Sequence, residues 1–185
     1  MYLIIGLGNP EEEYAKTRHN MGFEVLNELS KKYDIKITKT KFKGLYGLGT
    51  IEEKKVILLK PQTYMNLSGE SIIEFVNFYK IPLENVIVIY DDIDTDIEKI
   101  KIRKKGGPGT HNGMKSVVEY LKTEEFKRVR IGIGSPKEKF DLISYVIGHI
   151  SEDEYKKLQI GVEKGAKAVV EILKNGIDIA MNKYN

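Results

Sequence analysis

Short apolar runs alternate with longer amphipathic stretches along the chain. The first run, YLIIGLG from Tyr2 to Gly8, is too short for a helix and ends at Gly8-Asn9-Pro10, which predicts a buried strand that delivers Asn9 to a loop. From Met21 to Tyr33 the apolar residues Phe23, Leu26, Leu29 and Tyr33 recur at helical spacing, and Asn20 is available as the N-cap. This predicts an amphipathic helix that starts just beyond His19. Residues 45–51 and 55–60 read as a hairpin of strands joined by a polar Glu-Glu-Lys turn, the second apolar enough to be central. Ile72, Phe75, Val76 and Tyr79 form the single stripe of a second helix, with Asn66 just before it. The run VIVIYDD is a further buried strand ending in Asp91-Asp92, followed by the basic strand KIKIRKK and the glycine-rich loop GGPGTHNG, which holds His111 and Asn112. A helix over 114–122, the strand RVRIGIG, a short helix near 142–147 and one long C-terminal helix complete the pattern. The last carries a stripe of Leu158, Val162, Ala166, Val169 and Leu173.

Strands separated by helices predict one α/β domain spanning residues 1–185, with a mixed, mostly parallel twisted central sheet flanked by helices. Ligands of such sheets collect outside the carboxyl ends of the strands. Asn9, Asn66 and Asp91 each follow a predicted strand, so residues far apart in sequence are expected on one rim.

Composition narrows the chemistry. At 185 residues the chain falls within the roughly 100–200 typical of one domain. It has no cysteine, which excludes disulfides, a thiolate nucleophile and cysteine-ligated zinc, and agrees with a reducing compartment. No stretch approaches the roughly 18 apolar residues of a membrane span, and MYLIIGLGNP lacks the basic region and cleavage site of a signal peptide. A cytoplasmic monomer without membrane association is the expectation. The net charge is only +3, yet residues 99–130 hold a local +7 and leave −4 for the remainder. Such asymmetry suits a polyanionic partner. A solvated lysine-rich face is the ordinary alternative, but the alternation of KIKIRKK puts Lys99, Lys101 and Arg103 on one side of a strand, opposite Ile100 and Ile102.

Several familiar motifs fail. Gly6 and Gly8 would need a third glycine where Glu11 stands, which rules out the dinucleotide fingerprint. Gly69-Glu70-Ser71 is followed by Ile72-Ile73, so the nucleophile elbow of a serine hydrolase is absent. The three histidines, His19, His111 and His149, are scattered without a metal-binding spacing, and no metal or other cofactor is expected. What remains is water activated by a general base, for which histidine is suited near neutrality. His19 sits at a loop-to-helix junction near the predicted rim, His149 precedes the last helix, and His111 lies inside the glycine loop. A lone histidine is more often structural than catalytic. Asp91 strengthens His19, because a carboxylate at a strand end can engage one imidazole nitrogen and leave the other basic; a turn or capping role is the alternative for this aspartate.

The ordered segments GLGNP, EYAKTRHNMGF, KPQTYMNLSG, YDDID, THNGMKS and RVRIGIG, running from Gly6 to Gly134, resemble the signatures of bacterial-type peptidyl-tRNA hydrolases. The resemblance implies a hydrolase that cuts the ester between a peptide and tRNA, with His19 as base, Asp91 as its orienting partner, and Asn9, Asn66 and Asn112 holding the ester, the water and the 3′ nucleotide. It also implies that Met65 and Tyr14 form an apolar wall, and that Lys101 and Arg103 meet tRNA phosphates. Lys104, Lys105, Arg128 and Arg130 join that group only by charge and proximity, with support of the sheet as the other role for Arg128 and Arg130. The glycine loop departs from the family pattern at Pro108-Gly109-Thr110, which stiffens it. A noncatalytic RNA-binding protein on the same fold and a peptidase remain the competing classes.

Overall fold

The computed structural model describes residues 1–137 and 141–185. Its strands are β1 (Tyr2–Gly6), β2 (Lys39–Lys41), β3 (Gly44–Ile51), β4 (Lys54–Pro61), β5 (Val86–Asp92), β6 (Ile100–Arg103) and β7 (Lys127–Gly132). They form one sheet in the order β2-β3-β4-β1-β5-β7-β6. The central strands β4, β1, β5 and β7 are mutually parallel, and antiparallel partners extend both sides. The helices are α1 (Met21–Tyr33), α2 (Ser68–Tyr79), α3 (Asn112–Leu121), α4 (Leu142–Ile147), α5 (Glu152–Asn175) and α6 (Ile177–Tyr184). Among the described residues no helix is long and apolar enough to cross a membrane.

Alternation along the buried strands divides the core into two. Ile4, Ile87 and Ile89 pack with α1 and α5 on one face, whereas Leu3, Ile5, Val86 and Val88 pack with α2 and α3 on the other. This two-sided burial explains why β1 and β5 read as continuous apolar runs. The hairpin of β3 and β4 turns through Glu52 and Glu53, both at positive φ.

Three of the boundaries that differ from those read in the sequence bear on the site and its surroundings. The basic strand starts at Ile100, leaving Lys99 in the preceding turn, where its amide bonds the Asp96 carbonyl. Helix α3 begins at Asn112 rather than 114, because the His111 side chain accepts the Met114 amide and caps it. The C-terminal segment is two helices, not one. Gly176, at φ 91°, ends α5 and redirects the chain so that α6 lies along β6. The Asn185 amide then bonds both the N–H and the C=O of Ile102, satisfying the exposed edge of that strand.

The start of α1 is pressed against the sheet through Gly22. A Cβ there would lie 2.5 Å from the Ile89 carbonyl oxygen and 2.6 Å from the Leu7 nitrogen, with no flexible side chain to yield. Gly22→Ala is therefore expected to lower stability by about 1–3 kcal/mol. A urea midpoint unchanged from wild type would contradict this close approach.

Candidate active site

The carboxyl ends of β1 and β5 and the starts of α1 and α3 meet at one rim. The loop after β1 is tied to the start of α1 by a reciprocal pair: the Asn9 N–H donates to Asn20 Oδ1 at 2.8 Å, and Asn20 Nδ2 donates to the Asn9 carbonyl at 2.9 Å. Asn20 occupies the N-cap position of α1 but makes no capping bond there, since its amide is used up in this pair. Asn9 Oδ1 in turn accepts the Met65 N–H at 3.3 Å. Met65 and Asn66 lie in a short 3-10 turn over 65–67, ahead of α2. His19 sits in another such turn, Arg18–Asn20. Three loops are thus fixed to one another beside it.

Asp91 is the centre of this arrangement. At 3% exposure it cannot rely on water, and each carboxylate oxygen accepts from a different imidazole: Oδ2 from His19 Nδ1 at 2.9 Å and Oδ1 from His111 Nε2 at 2.8 Å. The remaining bonds assign the two rings different chemistry. His111 Nδ1 accepts the Met114 N–H at 3.1 Å, so it must be unprotonated, and Nε2 must carry the proton given to Asp91. Both nitrogens of His111 are committed. His19 uses only Nδ1 on the carboxylate, which leaves Nε2 to take a proton.

Electrostatics agree with that division. Burial alone would raise the Asp91 carboxyl, but the charge of His19 and the hydrogen bonds from both imidazoles outweigh it and hold the group far below the ordinary carboxylate range. Burial would lower His19, yet the Asp91 charge and its hydrogen bond outweigh that and raise the imidazole above its ordinary 6.5.

A cavity of about 570 Å³ opens on this centre. Asn9, His19, Met65, Asn66, Asp91 and Asn112 all line it. Tyr14 does not: it lies in a 3-10 turn over 12–14, and Tyr64 rather than Tyr14 is the tyrosine of the loop side of the cavity. Asn66 is exposed and makes no capping bond for α2. Residues 107–112 form one side, and Leu142, Ile143, Val146 and Ile147 of α4 form an apolar wall. Met65 and His111 can approach closely because position 113 is glycine; a Cβ there would lie 2.6 Å from Met65 Sδ and 2.9 Å from His111 Cε1.

His111 is the residue whose place the sequence did not reveal. It was readable only as part of a glycine-rich loop, although a histidine immediately before a helical stripe is also in N-cap position. His19, Asp91 and His111 are the cluster among the described residues that offers several metal-ligand atoms, all within 4.8 Å. Both imidazoles nevertheless contact the carboxylate directly at hydrogen-bond length, whereas an ion bound at about 2.0–2.2 Å to each would push these atoms apart.

The cations divide into four environments. Lys101 and Arg103 on β6 are half-buried and line a second hollow with Lys99, Lys164 and Lys183 beside them. Arg130, cross-strand neighbour of Lys101, reaches the cavity beside Asp91, and its Nε donates to the Tyr90 hydroxyl at 3.1 Å. Lys104 is exposed and paired with Asp178 at 2.5 Å, and Lys105 is exposed. Arg128 is wholly buried, with its guanidinium 4.2 Å from the Phe126 ring and Nη2 donating to the Glu124 carbonyl at 2.7 Å. It lines neither cavity.

Comparison with known proteins gives the same family by three routes. The family model for peptidyl-tRNA hydrolase matches residues 3–185. A peptidyl-tRNA hydrolase of Thermoanaerobacter sp. (strain X514) is 58% identical over the whole of both chains, and one from Clostridium botulinum (strain Hall) is 52% identical over all of this chain and 97% of its own length. The crystal structure of peptidyl-tRNA hydrolase from Acinetobacter baumannii superposes with a TM-score of 0.92 at 38% identity, covering 99% of this chain and 93% of that one. With the family model spanning nearly the whole sequence and relatives above half identity over its full length, the chain belongs to the peptidyl-tRNA hydrolase family.

Proposed function

We propose that this protein hydrolyses the ester between the peptide and the 3′-terminal ribose of peptidyl-tRNA, with His19 as the general base. The observation that carries the reading is the buried contact of 2.9 Å between His19 Nδ1 and Asp91, on a cavity that Asn9, Asn66 and Asn112 also line. His19 Nε2 removes a proton from water as its oxygen attacks the ester carbonyl, and Asn amide groups donate to the developing oxyanion. The tetrahedral intermediate then breaks its bond to the ribose oxygen, which takes the proton back from His19. The products are a free peptide carboxylate and a tRNA hydroxyl. A positioned base contributes about 10² to 10⁴ in rate and one oxyanion donor about 10² to 10³, enough for an esterase without a covalent intermediate.

Met65 and the α4 side chains supply apolar contact, while Lys101, Arg103 and Arg130 read the polyanion. The peptide is met mainly through its backbone, and the tRNA through phosphates and its single-stranded end. Turnover of peptidyl-tRNA alongside the matching free peptide ester and peptide amide tests this. Cleavage of the amide, or binding of the tRNA conjugate without turnover, would overturn it in favour of a peptidase or a noncatalytic RNA-binding protein.

The basic strand has its own expected result. Replacing Lys101 and Arg103 together by alanine should raise KM for peptidyl-tRNA and leave kcat nearly unchanged, as loss of uniform binding does. Each lost phosphate contact removes about 0.7–0.9 from the slope of log affinity against log salt, so the double variant should flatten it by roughly 1.4–1.8. Loss of kcat at saturation with the slope preserved would instead place these side chains in the chemistry.

A further inference from the structure

Arg18 precedes His19, is 8% exposed, and is not among the residues lining the cavity. Its Nη1 donates to the Tyr145 carbonyl in α4 at 2.9 Å, its Nη2 donates to Glu154 Oε2 in the first turn of α5 at 2.7 Å, and its guanidinium carbon lies 4.0 Å from the centre of the Tyr145 ring. One planar group therefore joins three segments: the turn that carries His19, the last turn of α4 and the start of α5. The accepted carbonyl is among those a helix leaves unsatisfied at its C-terminal end, where a cation is favoured.

Among the described residues, helix α4 is otherwise held through Tyr145 and Val146, which are half-buried against one core cluster. None of its residues is fully buried, and Leu142 and Ile143 are exposed, yet four of its side chains make the apolar wall of the cavity. The Tyr145 hydroxyl adds a hydrogen bond, donating to the Ile133 carbonyl at 2.8 Å. Segments with so few buried contacts open locally at small cost, well before the core does.

We infer that Arg18 is a positioning residue for the reaction: it clamps α4 and α5 to the turn bearing His19 and so holds the apolar wall in place opposite the base. The side chain must be arginine for this. Lysine keeps the charge for Glu154 but loses the planar face on Tyr145 and the fork that reaches two acceptors at once.

The test is Arg18→Lys, read by amide hydrogen exchange and by steady-state kinetics. Exchange at Tyr145, Val146 and Ile147 should accelerate about tenfold, with the amides of β1 and β5 unchanged. If α4 is in place only about one-tenth of the time, KM for peptidyl-tRNA rises about tenfold while kcat stays within about twofold, because bound substrate restores the wall. The acid limb of kcat/KM should not move, since the charge beside His19 is retained. Tyr145→Leu, which removes the stacking partner from the other side, should reproduce the same pattern and guards against misfolding of the Arg18 variant. The kinetic arm rests on the function proposed above; the exchange arm does not, so a wild-type protein inactive on peptidyl-tRNA would defeat that reading while the exchange data still judged this one. Unchanged exchange in α4 for both variants, or loss of kcat with KM preserved, would overturn the assignment.

Discussion

Replacing His19 by alanine is expected to lower kcat on peptidyl-tRNA by about 10² to 10⁴ while leaving tRNA affinity close to wild type, because a base acts on the transition state more than on the bound substrate. Single-turnover rates and filter binding separate the two quantities, and activity within tenfold of wild type would remove His19 from the chemistry. The pH dependence carries the same assignment. Since Asp91 raises His19 above 6.5, kcat/KM should fall as pH drops through a limb lying above that value. Stability should move the other way. A histidine whose folded pKa is raised contributes stability fully below its unfolded value near 6.5, and loses it as pH rises through the folded value. The ion pair that strengthens the fold at lower pH is thus the inactive form, and the two curves should cross in opposite directions.

Asp91→Asn is expected to cost about 10² to 10⁴ in kcat with the fold retained, for a reason peculiar to the double contact. The carboxylate accepts from two imidazoles, but an asparagine amide offers one acceptor and places an N–H₂ group toward the other ring. His111 must present a proton, because its Nδ1 is held by the Met114 N–H, so it takes the asparagine oxygen. His19 then faces a donor and satisfies it only by leaving Nδ1 unprotonated, which puts the proton on Nε2 and removes the basic nitrogen. Loss of the charge also leaves burial to lower the basicity of His19, so the acid limb of any residual activity should move to lower pH. An Asp91→Asn variant with near-normal kcat would mean that orientation of His19 does not depend on this carboxylate. A nitrogen NMR measurement of the His19 tautomer would show the switch directly.

The strand and helix patterns were readable because burial writes itself into spacing. Continuous apolar runs gave β1 and β5, the period of 3.6 gave α1 and α2, and the rule that parallel strands gather ligands at their carboxyl ends put Asn9 and Asp91 on one rim without any coordinates. Lys101 and Arg103 followed from alternation against Ile100 and Ile102, which do face the core. These are local periodicities coupled to a single buried direction, so sequence alone carried them. The roles that depend on which polar atom finds which partner were not local. Asn20 read as a helix cap and is instead consumed by the backbone of Asn9; Arg128 and Arg130, two residues apart on one strand, ended in the core and at the cavity; Tyr14 fell outside the cavity lining. His111 looked like part of a glycine loop until its ring was found between Met114 and Asp91, 20 residues away in sequence from the carboxylate. A side-chain hydrogen bond over that distance leaves no periodic trace, because its geometry is set by how closely α1 and α3 pack on the sheet, and only the folded chain decides that.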